Sequence, residues 1–276
     1  MIHRGSAHYR LSLAGGGTDL GEGEGLCITL SLPWRCHVTR EDVWRKAPMT
    51  SHVRDDDWSG EGLLWTSRHP ILKHLTNVEP QHVFIVTHEL PTRVGLGSSA
   101  ALALAATAHD RGFNITEALE LDAKATGAGW QDVHACAYNG CNAISRESVA
   151  WLGVDAQEKL WYPHLLLFST GGTHTEARNA SELDPLVRQL ALKEAHTLRD
   201  EPTLETLAWC MKRQWERKMD HVPESVIQAI QSSAKSGALA AKSTGSRGAG
   251  FGVVLTKDRE RTRDALVECG ARVWMP

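Results

Sequence analysis

Gly95, Gly97, Ser98 and Ser99 have the types and spacing to hold an anion. They lie in Pro91-Thr-Arg-Val-Gly-Leu-Gly-Ser-Ser-Ala-Ala101, between a β-branched apolar run (82–87) and an Ala/Leu-rich run (100–108). That pattern predicts a strand, a glycine turn and the start of a helix. The glycines let the backbone turn where a side chain would block it. Ser98 and Ser99 then fall where a helix leaves its first N–H groups unpaired and its dipole positive, a place that holds phosphate. A tight turn whose serine merely caps the helix accounts for the same residues.

Other polar residues have ordinary structural readings by spacing alone. Asp132, three residues after Gly129, reads as a helix-end cap. Arg10 reads as a strand arginine, Asp19 as a turn residue bonding its own backbone, and Asp122 as an acid on a solvated helix face. The triplet Asp55-Asp56-Asp57 sits in a polar loop, 42–60. Familiar nucleotide signatures are missing. The nearest approach to GxxxxGK[ST], Gly237 to Ser243, has Ala241 where the second glycine must let the backbone wrap phosphates. No GxGxxG opens an N-terminal βαβ unit, no GxSxG elbow supports a serine nucleophile, and no paired Cys/His spacing argues for zinc.

The elements that must position these residues follow in order. A strand over 7–13 runs into Ala14-Gly-Gly-Gly-Thr-Asp19, a loop with further glycines at 21, 23 and 25. Residues 26–32 and 34–39 read as two strands broken at Pro33. After the central turn come a helix over 99–112 and a second opened by the capping box Asn114-Ile-Thr-Glu117 and running to Thr126. Helix resumes over 133–138, and Asn139-Gly140 signals a hairpin with strands in 141–152. A strand over 162–168 precedes three helices. Leu183, Leu186, Val187 and Leu190 mark the apolar face of the first, Leu204, Leu207, Ala208, Met211 and Trp215 that of the second. Pro223 opens the third, which runs to about Lys242. Gly245 to Gly250 then leads into a strand (251–256), a helix (258–269) and a short strand. Strand-rich and helix-rich halves imply an α+β fold in two lobes, 1–155 and 156–276.

Composition excludes several classes. The 276 residues are ample for a sizeable core, and 42% apolar with 23% charged is the profile of a globular protein. A net charge of −3 offers no general attraction for nucleic acid or acidic membranes, so an anionic ligand must be held locally. No signal sequence or membrane-spanning run is expected, and six cysteines without framework spacing read as reduced thiols of a cytoplasmic protein.

Three stretches in this order, Ala14 to Leu20, Pro91 to Ala101 and the glycine run 245–250 ahead of a strand, resemble the GHMP kinase superfamily. The PxxxGLGSSAA match is the specific one. The chain is most similar to sugar kinases typified by D-glycero-D-manno-heptose 7-phosphate kinase, through Arg10 to Asp19, Gly129 to Gly140, Leu165 to Gly171, Trp215-Glu-Arg-Lys218 and Gly237 to Lys242. The resemblance covers almost the whole chain. It implies a two-lobed α+β fold with ATP, Mg2+ and a sugar in the cleft between lobes. It assigns the ATP phosphates to Gly95, Leu96, Gly97, Ser98, Ser99 and Ala100, with Gly245 and Gly248 closing from the other lobe. It assigns the metal to Ser99 and Asp122, the catalytic carboxylate to Asp132, the basic residue beside the reacting hydroxyl to Arg10, and the sugar to Gly17, Thr18, Asp19 and His174.

The chain departs from the family where Asp122 replaces the usual glutamate, where Arg247 interrupts the second glycine run, where Arg93 enters the first, and where His174 replaces a common arginine. The resemblance implies phosphoryl transfer to a hydroxyl of a heptose or heptose phosphate, possible at the anomeric position. The alternatives are a catalytically silent ligand sensor on the same fold and a kinase for a non-sugar hydroxyl. Oligomeric state is not legible.

Overall fold

The computed structural model describes residues 2–19, 24–42, 71, 82–90, 92, 94–108, 112–152, 160–171, 184–245 and 250–276. Two antiparallel sheets organise them. The first is five-stranded: β1 (Ile2–Ala14), β2 (Leu26–Asp42), β3 (His82–His88), β4 (Cys141–Ser145) and β5 (Val149–Trp151). β2 is the spine. One edge pairs with β1; the other pairs with β4 over Leu26–Leu30 and with β3 over Cys36–Asp42.

Pro33 does not break this strand in two, as the sequence implies. It lies in the gap between the β4 and β3 partners, where its missing N–H is not needed. Opposite it the register slips, His8 facing Arg35 while Arg10 faces Ser31. That bulge falls immediately before Arg10. The hairpin differs too: β4 and β5 turn at 146–148, and Asn139-Gly140 joins a helix to β4 instead.

The second sheet has the order β7 (Ala240–Ser243), β8 (Phe251–Leu255), β6 (Leu165–Ser169), β9 (Arg272–Trp274). In β6, Leu165 and Leu167 join a core that also holds Tyr9, Leu11 and Leu13 of the first sheet. Leu166 and Phe168 point the other way, into a second cluster with Val226, Ile230 and Leu266. Burial of both faces explains why β6 reads as an unbroken apolar run.

Helix α1 (Ser98–Ala106) packs on β1 and β2, with Ala100 to Ala106 all buried. It stops short of residue 112, with Thr107 turning its hydroxyl back onto Ala103 O at 2.8 Å. α2 (Ile115–Thr126) is capped by Asn114 as the capping box implies, and Gly127 ends it at φ 70°. α3 (Gln131–Ala137) follows. α4 (Pro185–Asp200) and α5 (Leu204–Glu216) contact the first sheet. α6 (Glu224–Lys235) and α7 (Arg259–Glu268) pack on each other.

Two sequence expectations about helices are overturned. Leu186 and Leu190 of α4 are 64% and 38% exposed, and the buried face is Ala191, Glu194, Ala195 and Leu198. The third helix of that half ends at Lys235, since Ala240–Ser243 pairs with Gly252–Leu255 as β7. Residues 153–159, which hold the expected lobe boundary, lie outside the described residues, as do Asp55-Asp56-Asp57. Among the described residues no helix is long and apolar enough to cross a membrane.

Candidate active site

The central turn approaches α1 with Gly95 at φ 76° and Gly97 at φ 73°. Gly97 is the N-cap, and no side chain caps this end. By contrast Asn114, Asp184, Thr203 and Asp258 cap α2, α4, α5 and α7. The capping role open to the serines is therefore not the one they take. A helix start without a side-chain cap beside a left-handed glycine turn keeps N–H groups and positive dipole available to an anion.

The second glycine turn docks directly on the first. A Cβ on Gly95 would lie 2.2 Å from Gly245 N and 2.3 Å from Gly245 Cα, so only hydrogen fits. Thr244 fastens the contact, its hydroxyl donating to Val94 O at 2.5 Å. Gly248, Arg247 and Arg93 lie outside the described residues.

Arg10, just past the β1 bulge, is held beneath this turn. Its backbone N–H donates to Leu96 O at 3.1 Å, its Nη1 to Gly95 O at 3.1 Å and its Nη2 to Asp132 Oδ2 at 2.5 Å. Burial opposes its charge, but the Asp132 carboxylate outweighs that and raises its pKa above the ordinary value. A Cβ on Gly97 would strike Arg10 Cγ at 2.9 Å, so this glycine also makes room for the guanidinium. Asp132, the second residue of α3, keeps 33% of its side chain exposed.

Asp132 does not cap α3. Asp19 does that from 112 residues away, its Oδ2 accepting the Gln131 backbone N–H at 3.0 Å. Gly129 is required there, because a Cβ would sit 2.0 Å from Asp19 Oδ2. Burial, then repulsion from Asp132, pushes the Asp19 pKa up to about 6, against the Gln131 N–H and Arg10. Thr18 is fully buried. Its hydroxyl bonds Gly15 O (2.8 Å) and Leu26 O (3.0 Å) and accepts from Leu26 N (3.1 Å) and Gln131 Nε2 (2.9 Å). Its valences are filled by protein, so it shapes the loop that Gly17 and Asp19 share. His174 lies outside the described residues.

Asp122, on α2, is 1% exposed. Its Oδ1 accepts from Thr126 Oγ1 at 3.0 Å, while Oδ2 is buried without a hydrogen-bond partner. Burial and then Asp132 push its pKa up to about 6, against hydroxyls of Thr126 and Ser99. Asp122 and Ser99 are therefore neighbours across α1 and α2. A buried carboxylate oxygen left open beside a hydroxyl is a hard-oxygen donor pair that fits Mg2+. Among the described residues no group of three His, Cys, Asp or Glu side chains could hold a metal by itself.

Several residues here escaped the sequence reading. Arg188 of α4 donates to Thr18 O (3.0 and 3.2 Å) and Glu24 O (2.9 Å), tying the ends of the 18–24 segment together. Lys218 Nζ donates to Gly245 O at 2.6 Å. Lys242 Nζ donates to Ser12 O, Leu13 O and Gln214 Oε1 at 2.7, 3.3 and 2.6 Å. Lys218 closes the Trp215-Glu-Arg-Lys segment already singled out; Lys242 was hidden by a helix that does not extend so far. A hollow of about 410 Å³ beside the β4–β5 hairpin, lined by His134, Tyr138 and Trp151 among others, includes none of Arg10, Asp19, Asp122 or Asp132.

Comparison with known proteins bears on the fold that carries these residues. Residues 68–140, which hold the first glycine turn, α1, α2 and Asp132, match the family described as GHMP kinases N terminal domain. Among solved structures, a mevalonate kinase from methicillin-resistant Staphylococcus aureus aligns at TM-score 0.63 and 17% identity, over 99% of this chain and 98% of its own. A D-glycero-D-manno-heptose 1-phosphate kinase from Bacteroides thetaiotaomicron aligns at 0.59 and 16%, over 99% of each chain. Lactococcus lactis galactokinase complexed with galactose aligns at 0.65 and 14%, over 99% and 92%. No curated protein matches. The fold is that of the GHMP kinases, across the full chain.

Proposed function

We propose that this GHMP-fold chain is an ATP-dependent, Mg2+-requiring kinase that phosphorylates a hydroxyl of a sugar, a heptose or heptose phosphate in the first instance. The observation that carries this is the Arg10–Asp132 pair set directly under two touching glycine turns. Phosphoryl transfer asks little covalent chemistry of a protein; it asks that a charged phosphoryl group be held in line with a hydroxyl and its charge offset.

Backbone N–H groups from residue 95 to 100, with the Gly245 turn opposite, would hold the ATP phosphates. Ser99 and the open Asp122 Oδ2 would hold Mg2+, which supplies charge neutralisation when bound. Asp132 would orient the sugar hydroxyl and accept its proton late in the transfer, because an ordinary carboxylate is too weak a base to remove it beforehand. Arg10 keeps that carboxylate aimed. Asp19 and Gly17 would contact the sugar, with Thr18 and Arg188 holding their loop. Two lobes, 1–155 and 156–276, would flank the cleft, and six free thiols suit a reducing cytoplasm.

A panel of sugars, including heptoses and heptose phosphates, tested with ADP release as readout and Asp132→Ala as control, decides the matter. Turnover that depends on Asp132 supports a kinase. ATP binding without turnover on any sugar or small alcohol would instead indicate a ligand sensor.

A further inference from the structure

Resting on the kinase assignment above, we propose that Lys218 is a phosphate-binding residue of this site, its ammonium taking a phosphoryl oxygen of either the nucleotide or an acceptor that already bears phosphate.

Two lysines sit in this region with opposite valence states. An ammonium has three N–H donors. Lys242 spends all three on protein oxygens, at 2.6 to 3.3 Å. Lys218, in the two-residue turn after α5, has among the described residues one partner, the Gly245 carbonyl at 2.6 Å. The cations around it are already matched. Arg217 makes a bidentate pair with Glu194 at 2.5 and 2.7 Å, and Arg10 pairs with Asp132 at 2.5 Å. Among the described residues no carboxylate pairs with Lys218 itself. Burial, with Arg10 and Arg217 adding to it, lowers its pKa to about 8.

A largely enclosed ammonium with N–H donors unmatched among the described residues, flanked by Arg10 and Arg217 and near a Glu194 carboxylate that Arg217 already binds, costs free energy unless an anion joins it. The carbonyl it does bond belongs to the glycine that touches Gly95, so its spare N–H groups lie where the two turns converge. Phosphate is the anion that such turns select. A purely structural part, stapling the Gly245 turn, would leave the affinity for a free phosphate anion unmoved relative to that for adenosine.

Isothermal titration of the full chain tests this with four probes: Mg2+ with a non-hydrolysable ATP analogue, pyrophosphate, mannose 6-phosphate and adenosine. In Lys218→Met, phosphate-bearing probes should bind about 10- to 100-fold more weakly, with adenosine unchanged and Lys218→Arg restoring much of the loss. A loss confined to the ATP analogue and pyrophosphate assigns Lys218 to the nucleotide, and one confined to mannose 6-phosphate assigns it to the acceptor. Binding of every probe at wild-type affinity overturns the proposal while leaving the kinase assignment standing. A wild-type chain that binds none of the phosphate probes overturns both. Should Lys218→Met fail to fold by circular dichroism, Lys218→Gln replaces it with the same expected outcomes.

Discussion

Arg10 Nη2 and Asp132 Oδ2 meet at 2.5 Å across 122 residues of sequence, one on a strand just past a bulge and the other in the first turn of a helix. The Arg10 backbone is tied to Leu96 O and its guanidinium to Gly95 O and Asp132, so it holds the carboxylate in one orientation. Asp132→Asn should lower kcat by about 10²- to 10⁴-fold, with KM for ATP within a few-fold of wild type. Steady-state ADP release measures both, and a variant with undiminished kcat would remove Asp132 from the chemistry.

Gly95→Ala places a Cβ 2.2 Å from Gly245 N on a backbone already at φ +76°, so neither partner can yield cheaply. The two turns must part. Nucleotide-analogue affinity should fall at least about tenfold, and stability by about 1–3 kcal/mol. Calorimetric titration and thermal melts check the pair; wild-type affinity would mean that the contact does not shape the phosphate site.

Ser99→Ala and Asp122→Asn each remove one oxygen donor from the proposed metal position. The Mg2+ concentration for half-maximal activity should rise about tenfold in each, with the acceptor KM little changed. A Mg2+ titration at saturating ATP and acceptor reads this out, and an unshifted midpoint in both variants would place the ion elsewhere.

Lys242→Met would leave Ser12 O, Leu13 O and Gln214 Oε1 without their shared donor inside the protein. Leu13 O keeps the Gln214 Nε2 donor at 2.7 Å, and the donor lost to Ser12 O and Gln214 Oε1 predicts a loss of about 1–3 kcal/mol in denaturant unfolding. A loss below about 0.5 kcal/mol would mean that the three bonds contribute nothing net.

Pyrophosphate affinity should weaken as pH rises through about 8. Burial lowers the Lys218 pKa to about 8, Arg10 and Arg217 lower it further, and Glu194 opposes them weakly; Lys242, on β7, is a further nearby cation. Below that pH the free protein presents the ammonium; above it, binding must first supply a proton. Lys218→Arg keeps its charge throughout and should flatten the profile between about pH 7 and pH 9. An equally steep fall in Lys218→Arg would assign the titration to another group.

Much of this molecule was written in local residue chemistry. The glycine turn before α1, the Asn114–Glu117 capping box, the Gly127 stop and the closing strand–helix–strand order are all present where short-range backbone preferences place them. Arg10, Asp19, Asp122 and Asp132 stand out in the sequence by type and motif, and the fold sets Arg10 against Asp132 and Asp122 near Ser99. Alanine, leucine and lysine at 237–242 favour helix, yet this segment is a strand because Gly252–Leu255 offers it a partner. The same limit hid which face of α4 is buried.

The sequence by itself determined the glycine turn before α1, the Asn114 cap and the candidate side chains, because these depend on neighbours within a few residues. Only the tertiary structure decided that Gly245 rests on Gly95, that Asp19 and not Asp132 caps α3, and that Lys242 meets three protein oxygens where Lys218 meets one among the described residues. Each of those facts is a contact between distant segments, set by how the two sheets pack and invisible to any local preference.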